Sequence, residues 1–196
     1  DEVRIADSRE RNVVVAKGQM DETPDDPRSY WNLGNAYKAA GKNKEALECL
    51  IQIMNLSTSD EEKFIIQCRI AEIYMSLGDK FEALKCARYA IGIRPYYPDG
   101  YHLCGHICFE MKRFEEAKNY FKQGLVQKPP YKSIIVYNPR SYDYVPLMAL
   151  AKTYFSLSLP SLALPCLEAC LKIYPEDERI KNLIKDIKVE ADRFDE

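Results

Sequence analysis

Pro27–Leu47 reads PRSYWNLGNAYKAAGKNKEAL, a good helical stretch with a glycine in its middle. At an interior helical position Gly34 costs about 1 kcal/mol relative to alanine. It is nevertheless flanked by Tyr30, Leu33 and Tyr37, so a packing reason has to offset that loss.

The order recurs along the chain. From Tyr30 it runs Tyr30, Leu33, Gly34, Tyr37, Gly41, Ala46, Leu50. QCRIAEIYMSLGDKFEALKCARYAIGIRP repeats it as Gln67, Ile70, Ala71, Tyr74, Gly78, Ala83, Ala87 and Pro95. YHLCGHICFEMKRFEEAKNYFKQGLVQKP supplies Tyr101, Cys104, Gly105, Cys108, Ala117, Phe121 and Pro129. LMALAKTYFSLSLPSLALPCLEACLKIYP supplies Leu147, Leu150, Ala151, Tyr154, Ala163, Leu167 and Pro175. Each unit then reads as two helices, with Gly34, Ala71, Gly105 and Ala151 where they cross. Ala46, Ala83, Ala117 and Ala163 are the matching small positions on the second helix.

This order, W-x2-L-G-x2-Y…A-x3-F…P, resembles the tetratricopeptide repeat over most of the chain. The resemblance implies an all-α, right-handed α-solenoid of stacked antiparallel helix pairs. Four repeats are expected at 27–60, 64–97, 98–131 and 144–177, with an insertion at about 132–143. Trp31 stands one place after the usual tryptophan position, Thr58 replaces a terminal proline, and Lys112 and Ser158 replace the inter-helix glycine. Residues 1–26 are expected to form a helix, the second half of an incomplete unit with Pro24 in register. Residues 178–196 space Ile180, Leu183, Ile184 and Ile187 on one face, the pattern of a capping helix. The first residue is Asp1 rather than methionine, so a processed product or a piece of a longer protein is expected.

Composition narrows the function classes. Hydrophobic residues at 46% and charged residues at 30% are those of a folded, soluble chain. A net charge of −2 carries no electrostatic footprint for nucleic acid or an anionic membrane. No apolar run is long enough to span a bilayer and no secretion signal opens the chain, so a cytoplasmic location is expected. The seven cysteines are an odd set inside periodic apolar segments, which reads as buried thiols in a reducing compartment.

The insertion region, within KPPYKSIIVYNPRSYDYVP, combines helix-breaking prolines with the β-branched run SIIVY and tyrosines 131, 137, 142 and 144. Two readings stand: a connecting loop whose aromatics cover the third and fourth repeats, or a partner contact through Tyr137, Arg140 and Tyr142. The wording around Asn138, Pro139, Arg140 and Tyr144 also resembles the tetratricopeptide regions attached to family-2 glycosyltransferases. That resemblance implies a sugar-transferase domain upstream, with this chain holding the acceptor or dimerising.

Chemistry within the chain itself is sparse. HLCGHIC sets His102 and His106 four apart, but successive helical residues turn by about 100°. Cys104 and Cys108 therefore point away into the core, and no metal site is expected. The histidines read instead as groove-lining groups that modulate charge near neutral pH. No Asp-x-Asp, phosphate-cradling glycine loop or nucleophile–base pair is present. Ser59 with Glu62 reads as a capping box. No catalytic residue or cofactor is expected.

What remains is the inner face. The family's groove positions fall on Trp31, Asn35 and Lys38, then Cys68, Arg69, Glu72 and Met75. They continue with His102, His106 and Phe109, then Lys152 and Phe155. The carboxylate-clamp variant wants a basic residue at the Trp31 position, and only Asn35 clearly matches its set, so that mode is not expected. The chain reads as a non-enzymatic module that binds a peptide or partner protein. Self-association is a further alternative.

Overall fold

The computed structural model describes residues 2–57, 59–128 and 140–194. These form ten α-helices and no strand. The chain divides into two compact units, Asp1–Arg94 and Pro95–Glu196. The first holds α1 (Glu2–Glu22), α2 (Pro27–Ala39), α3 (Asn43–Leu56), α4 (Asp60–Ser76) and α5 (Lys80–Ile93). The second holds α6 (Pro98–Glu110), α7 (Phe114–Val126), a π-helical turn (Arg140–Tyr144) and α8 (Val145–Ser156). A 3-10 turn (Pro160–Ala163), α9 (Leu164–Ile173) and α10 (Glu178–Phe194) complete it.

Helix starts follow local chemistry. The Asp26 side chain accepts from the Arg28 amide while Pro27 takes the first turn, where a missing N–H costs nothing. Asp79 caps α5 through the Glu82 amide at 3.1 Å. At α4 the expected capping box forms by half. Ser59 accepts from the Glu62 amide at 3.5 Å, but the Glu62 carboxylate takes the Ser57 hydroxyl at 2.7 Å. Pro160 and Pro165 explain why the last helix pair closes through a 3-10 turn, since neither proline can donate an amide.

The turns inside the four pairs are one motif. Gly41, Gly78, Lys112 and Ser158 all have positive φ, at 75°, 83°, 60° and 58°. At each, the amide of that residue bonds three back and the next amide bonds five back, as in Gly41 to Lys38 and Lys42 to Tyr37. This is the Schellman arrangement, and glycine is its unstrained occupant.

Gly34 sits in the interface it was expected to serve. A Cβ there would lie 3.2 Å from Cys49 Cβ and 3.7 Å from the Ala46 carbonyl. At Gly105 a Cβ would come within 2.7 Å of the Phe121 ring, so the backbone of α6 lies directly on that ring. Ala71, Ala151, Ala46, Ala83, Ala117 and Ala163 are all buried. α1 lays Val13 and Ala16 inward, with Ala16 packed beside Leu33 and Cys49. Its chain leaves through a turn at Pro24 like those at Pro95 and Pro175. In the second unit Ile180, Ile184 and Ile187 of α10 are buried, with Leu183 half-buried.

None of the seven cysteines is in a disulfide; five are buried, and Cys68 and Cys86 are half-buried. Burial pushes Cys49 and Cys170 up to about 11, so both stay protonated and pack as apolar groups. Among the described residues no helix is long and apolar enough to cross a membrane.

The segment containing SIIVY, with Tyr131, Tyr137, Asn138 and Pro139, lies outside the described residues, as does the side chain of Arg140. Tyr142 corrects one expectation. It is 7% exposed, and its hydroxyl donates to Asp99 Oδ2 at 2.8 Å. Tyr144 is also buried; its hydroxyl donates to Asp177 Oδ2 at 3.0 Å and its ring meets Tyr174 edge-on at 4.8 Å. Neither ring is presented to a partner. Both fasten the turn before α8, because a buried phenol needs an acceptor and each finds a carboxylate.

Candidate functional site

The groove positions recur at fixed offsets from the small crossing residue. One place after it stand Asn35, Glu72, His106 and Lys152, and four places after it stand Lys38, Met75, Phe109 and Phe155.

In the first unit these positions close on one another. Lys38 Nζ of α2 reaches Glu72 Oε2 of α4 at 2.5 Å, and Arg69 reaches the same oxygen at 2.9 Å. One carboxylate thus answers two cations, in a partly solvated setting where each pair contributes about 0–1 kcal/mol. Asn35 is exposed. Trp31 packs partly against the Ile53 and Ile66 core and lines a shallow pocket of ≈ 200 Å³ with Arg28, Glu62 and Ile65.

In the second unit the same offsets stay open. His106, Phe109 and Lys152 line a pocket of ≈ 330 Å³ between α6 and α8, floored by Leu103, Phe121, Pro146 and Ala149. The Lys152 ammonium lies 4.7 Å from the centre of the Phe109 ring, a cation–π contact, and Phe109 meets Phe114 at 5.2 Å. The register pair that makes a salt bridge in the first unit, Lys38 with Glu72, is here an aromatic and a cation. Phe155 lines a neighbouring apolar pocket of ≈ 410 Å³ with Lys152, Met148, Leu167 and Leu183.

His102 departs from its expected role. It borders the first pocket, but its ring is pressed against α7, where a Cβ on Gly124 would lie 2.5 Å from its Cδ2. Burial lowers its pKa to about 4, and its Nε2 has no hydrogen-bond partner among the described residues. It is neutral at pH 7, so it does not modulate charge there; His106 is the exposed imidazole. Sequence reasoning also missed Asp99 and Asp177, whose carboxylates hold Tyr142 and Tyr144. The distant phenols that use them leave no local signal in the sequence. Burial raises the Asp99 pKa, whereas Arg179 and Tyr144 hold Asp177 below the usual carboxylate value. Among the described residues no group of three or more His, Cys, Asp or Glu is placed to hold a metal.

The tetratricopeptide repeat family model matches residues 27–60, 66–97 and 98–129, half of the chain. The chain belongs to the tetratricopeptide repeat family. Its fourth helix pair, α8 and α9, lies beyond the matched residues. No curated protein matches this repeat protein in sequence. Among solved structures it resembles the APC/C hetero-tetramer Cut9–Hcn1 (TM-score 0.68, 14% identity), covering 95% of this chain and 34% of that one. It thus spans about a third of that chain's length. It also resembles MamA (TM-score 0.65, 18% identity; 91% of this chain and 96% of that one). A third is YrrB, a tetratricopeptide protein described as having an unusual peptide-binding site (TM-score 0.62, 15% identity; 91% and 84%). At such identities the likeness is one of fold. The expected glycosyltransferase attachment draws no support from these similarities.

Proposed function

We propose that this chain is a non-catalytic interaction module that holds a peptide or partner-protein segment against the first helices of its repeats. It is organised as a half unit (α1), four helix pairs and a cap (α10). The observation that carries the reading is the ≈ 330 Å³ pocket between α6 and α8. His106, Phe109 and Lys152, expected from the family's groove positions, all line it. Its apolar floor and few polar rim groups suit a side chain delivered by a peptide. Trp31, Asn35, Lys38, Arg69 and Glu72 form a second candidate surface in their own unit. The peptide-binding site described for YrrB supports the general mode.

Panning a phage-displayed random peptide library against the full chain tests this. Enriched peptides are expected to lose about tenfold in affinity on Phe109→Ala, with the circular dichroism unchanged. No enrichment, or peptides that bind the Phe109→Ala and Trp31→Ala variants as well as wild type, overturns it.

A further inference from the structure

Lys152 is shared by two pockets. On one side lies the ≈ 330 Å³ pocket floored by Leu103, Phe109 and Phe121; on the other lies the ≈ 410 Å³ pocket of Met148, Phe155 and Leu183. Lys152 is exposed, stands over the Phe109 ring, and has no carboxylate partner among the described residues. The first unit shows the contrast, since its cations at this face, Lys38 and Arg69, are already answered by Glu72.

Resting on the interaction-module reading, we propose that the partner segment is an internal peptide stretch in which one carboxylate side chain lies between two apolar side chains. Each apolar side chain fills a pocket, and the carboxylate meets the Lys152 ammonium between them. An ammonium on a π face keeps its remaining N–H donors for an anion, and the apolar walls on both sides strengthen that charge-assisted bond. The two depressions also require the anchors to flank the acid rather than to lie together on one side of it. Glu110 lines only the first pocket, so it disfavours a second carboxylate on that side. His106 on the same rim is a further polar contact.

The probe is an array of acetylated, amidated peptides with Leu or Phe on either side of a central Glu at varied spacing, in a Ser/Gly background. Matched peptides carry Gln or Lys at the centre, or Ser at either anchor. The Glu peptides of the best spacing are expected to bind about tenfold tighter than their Gln counterparts and to weaken as salt rises. Each Ser replacement is expected to cost about tenfold as well. Lys152→Gln should erase the Glu preference, and Lys152→Glu should turn it toward the Lys-centred peptides, with thermal unfolding confirming that both variants fold. Equal binding of Glu and Gln peptides, or a preference that survives Lys152→Gln, overturns the proposal while leaving the module reading intact. Failure of every array peptide, when library peptides sensitive to Phe109 exist, overturns it in the same way. Failure of both array and library overturns both readings.

Discussion

His102 is held by a glycine it does not neighbour in sequence. Its ring occupies the space that a side chain at position 124 would fill, and Tyr142 stands edge-on at 6.4 Å between centroids. An imidazole so enclosed refuses a proton, because the charged form would lose its water without gaining a carboxylate. The folded-state pKa, about 4, lies below the ordinary 6.5. The unfolded chain therefore binds more protons between those values. The histidine's stabilising contribution is complete above 6.5 and is lost as pH falls toward 4. Asp99 acts with the opposite sign: burial raises its pKa, so acidification relieves rather than adds cost. Urea unfolding at about pH 7.5 and about pH 5 should show His102→Leu reducing the acid loss of stability by about 2 kcal/mol. An unchanged pH dependence would remove the histidine from that account.

At the scale of elements, the four intra-pair turns separate what a motif requires from what a residue prefers. All four adopt the left-handed conformation with the same pair of backbone hydrogen bonds, although two carry side chains. Packing of the helix pair imposes the geometry, and Lys112 and Ser158 bear the steric cost of about 1–2 kcal/mol that glycine escapes. Part of that cost is offset, since glycine is freer when unfolded. Lys112→Gly and Ser158→Gly should each stabilise by about 0.5–1 kcal/mol, and Gly41→Ala or Gly78→Ala should cost about 1 kcal/mol, read as shifts in denaturant midpoint at constant slope. These positions were legible in the sequence because Lys112 and Ser158 stand in register with the glycines. The fastening of Tyr142 and Tyr144 was not legible, because the phenols and carboxylates that meet are 43 and 33 residues apart.

For the molecule as a whole, each unit has its own core, and α10 completes that of the second. Its inward isoleucines would otherwise leave the last pair facing water, the circumstance that makes terminal repeats need a polar-backed cap. Ile187→Asp buries an unpaired carboxylate and should destabilise by about 3 kcal/mol or more. Hydrogen exchange should show α9 and α10 losing protection first while α2–α5 keep theirs. Loss of protection spread evenly over both units would contradict that division. The sequence by itself determined the paired helices, their small crossing residues, the turn positions and the cap, because each is a short-range pattern with a fixed period. The family resemblance, rather than periodicity, supplied the expected positions on the first-helix faces, and His102 among them turned out to pack against α7. Which of those faces is closed by ion pairs and which holds a pocket, which histidine is sealed and neutral, and which tyrosines are anchors were decided only by tertiary structure. They depend on what packs opposite each side chain, and burial sets both its charge and its reach.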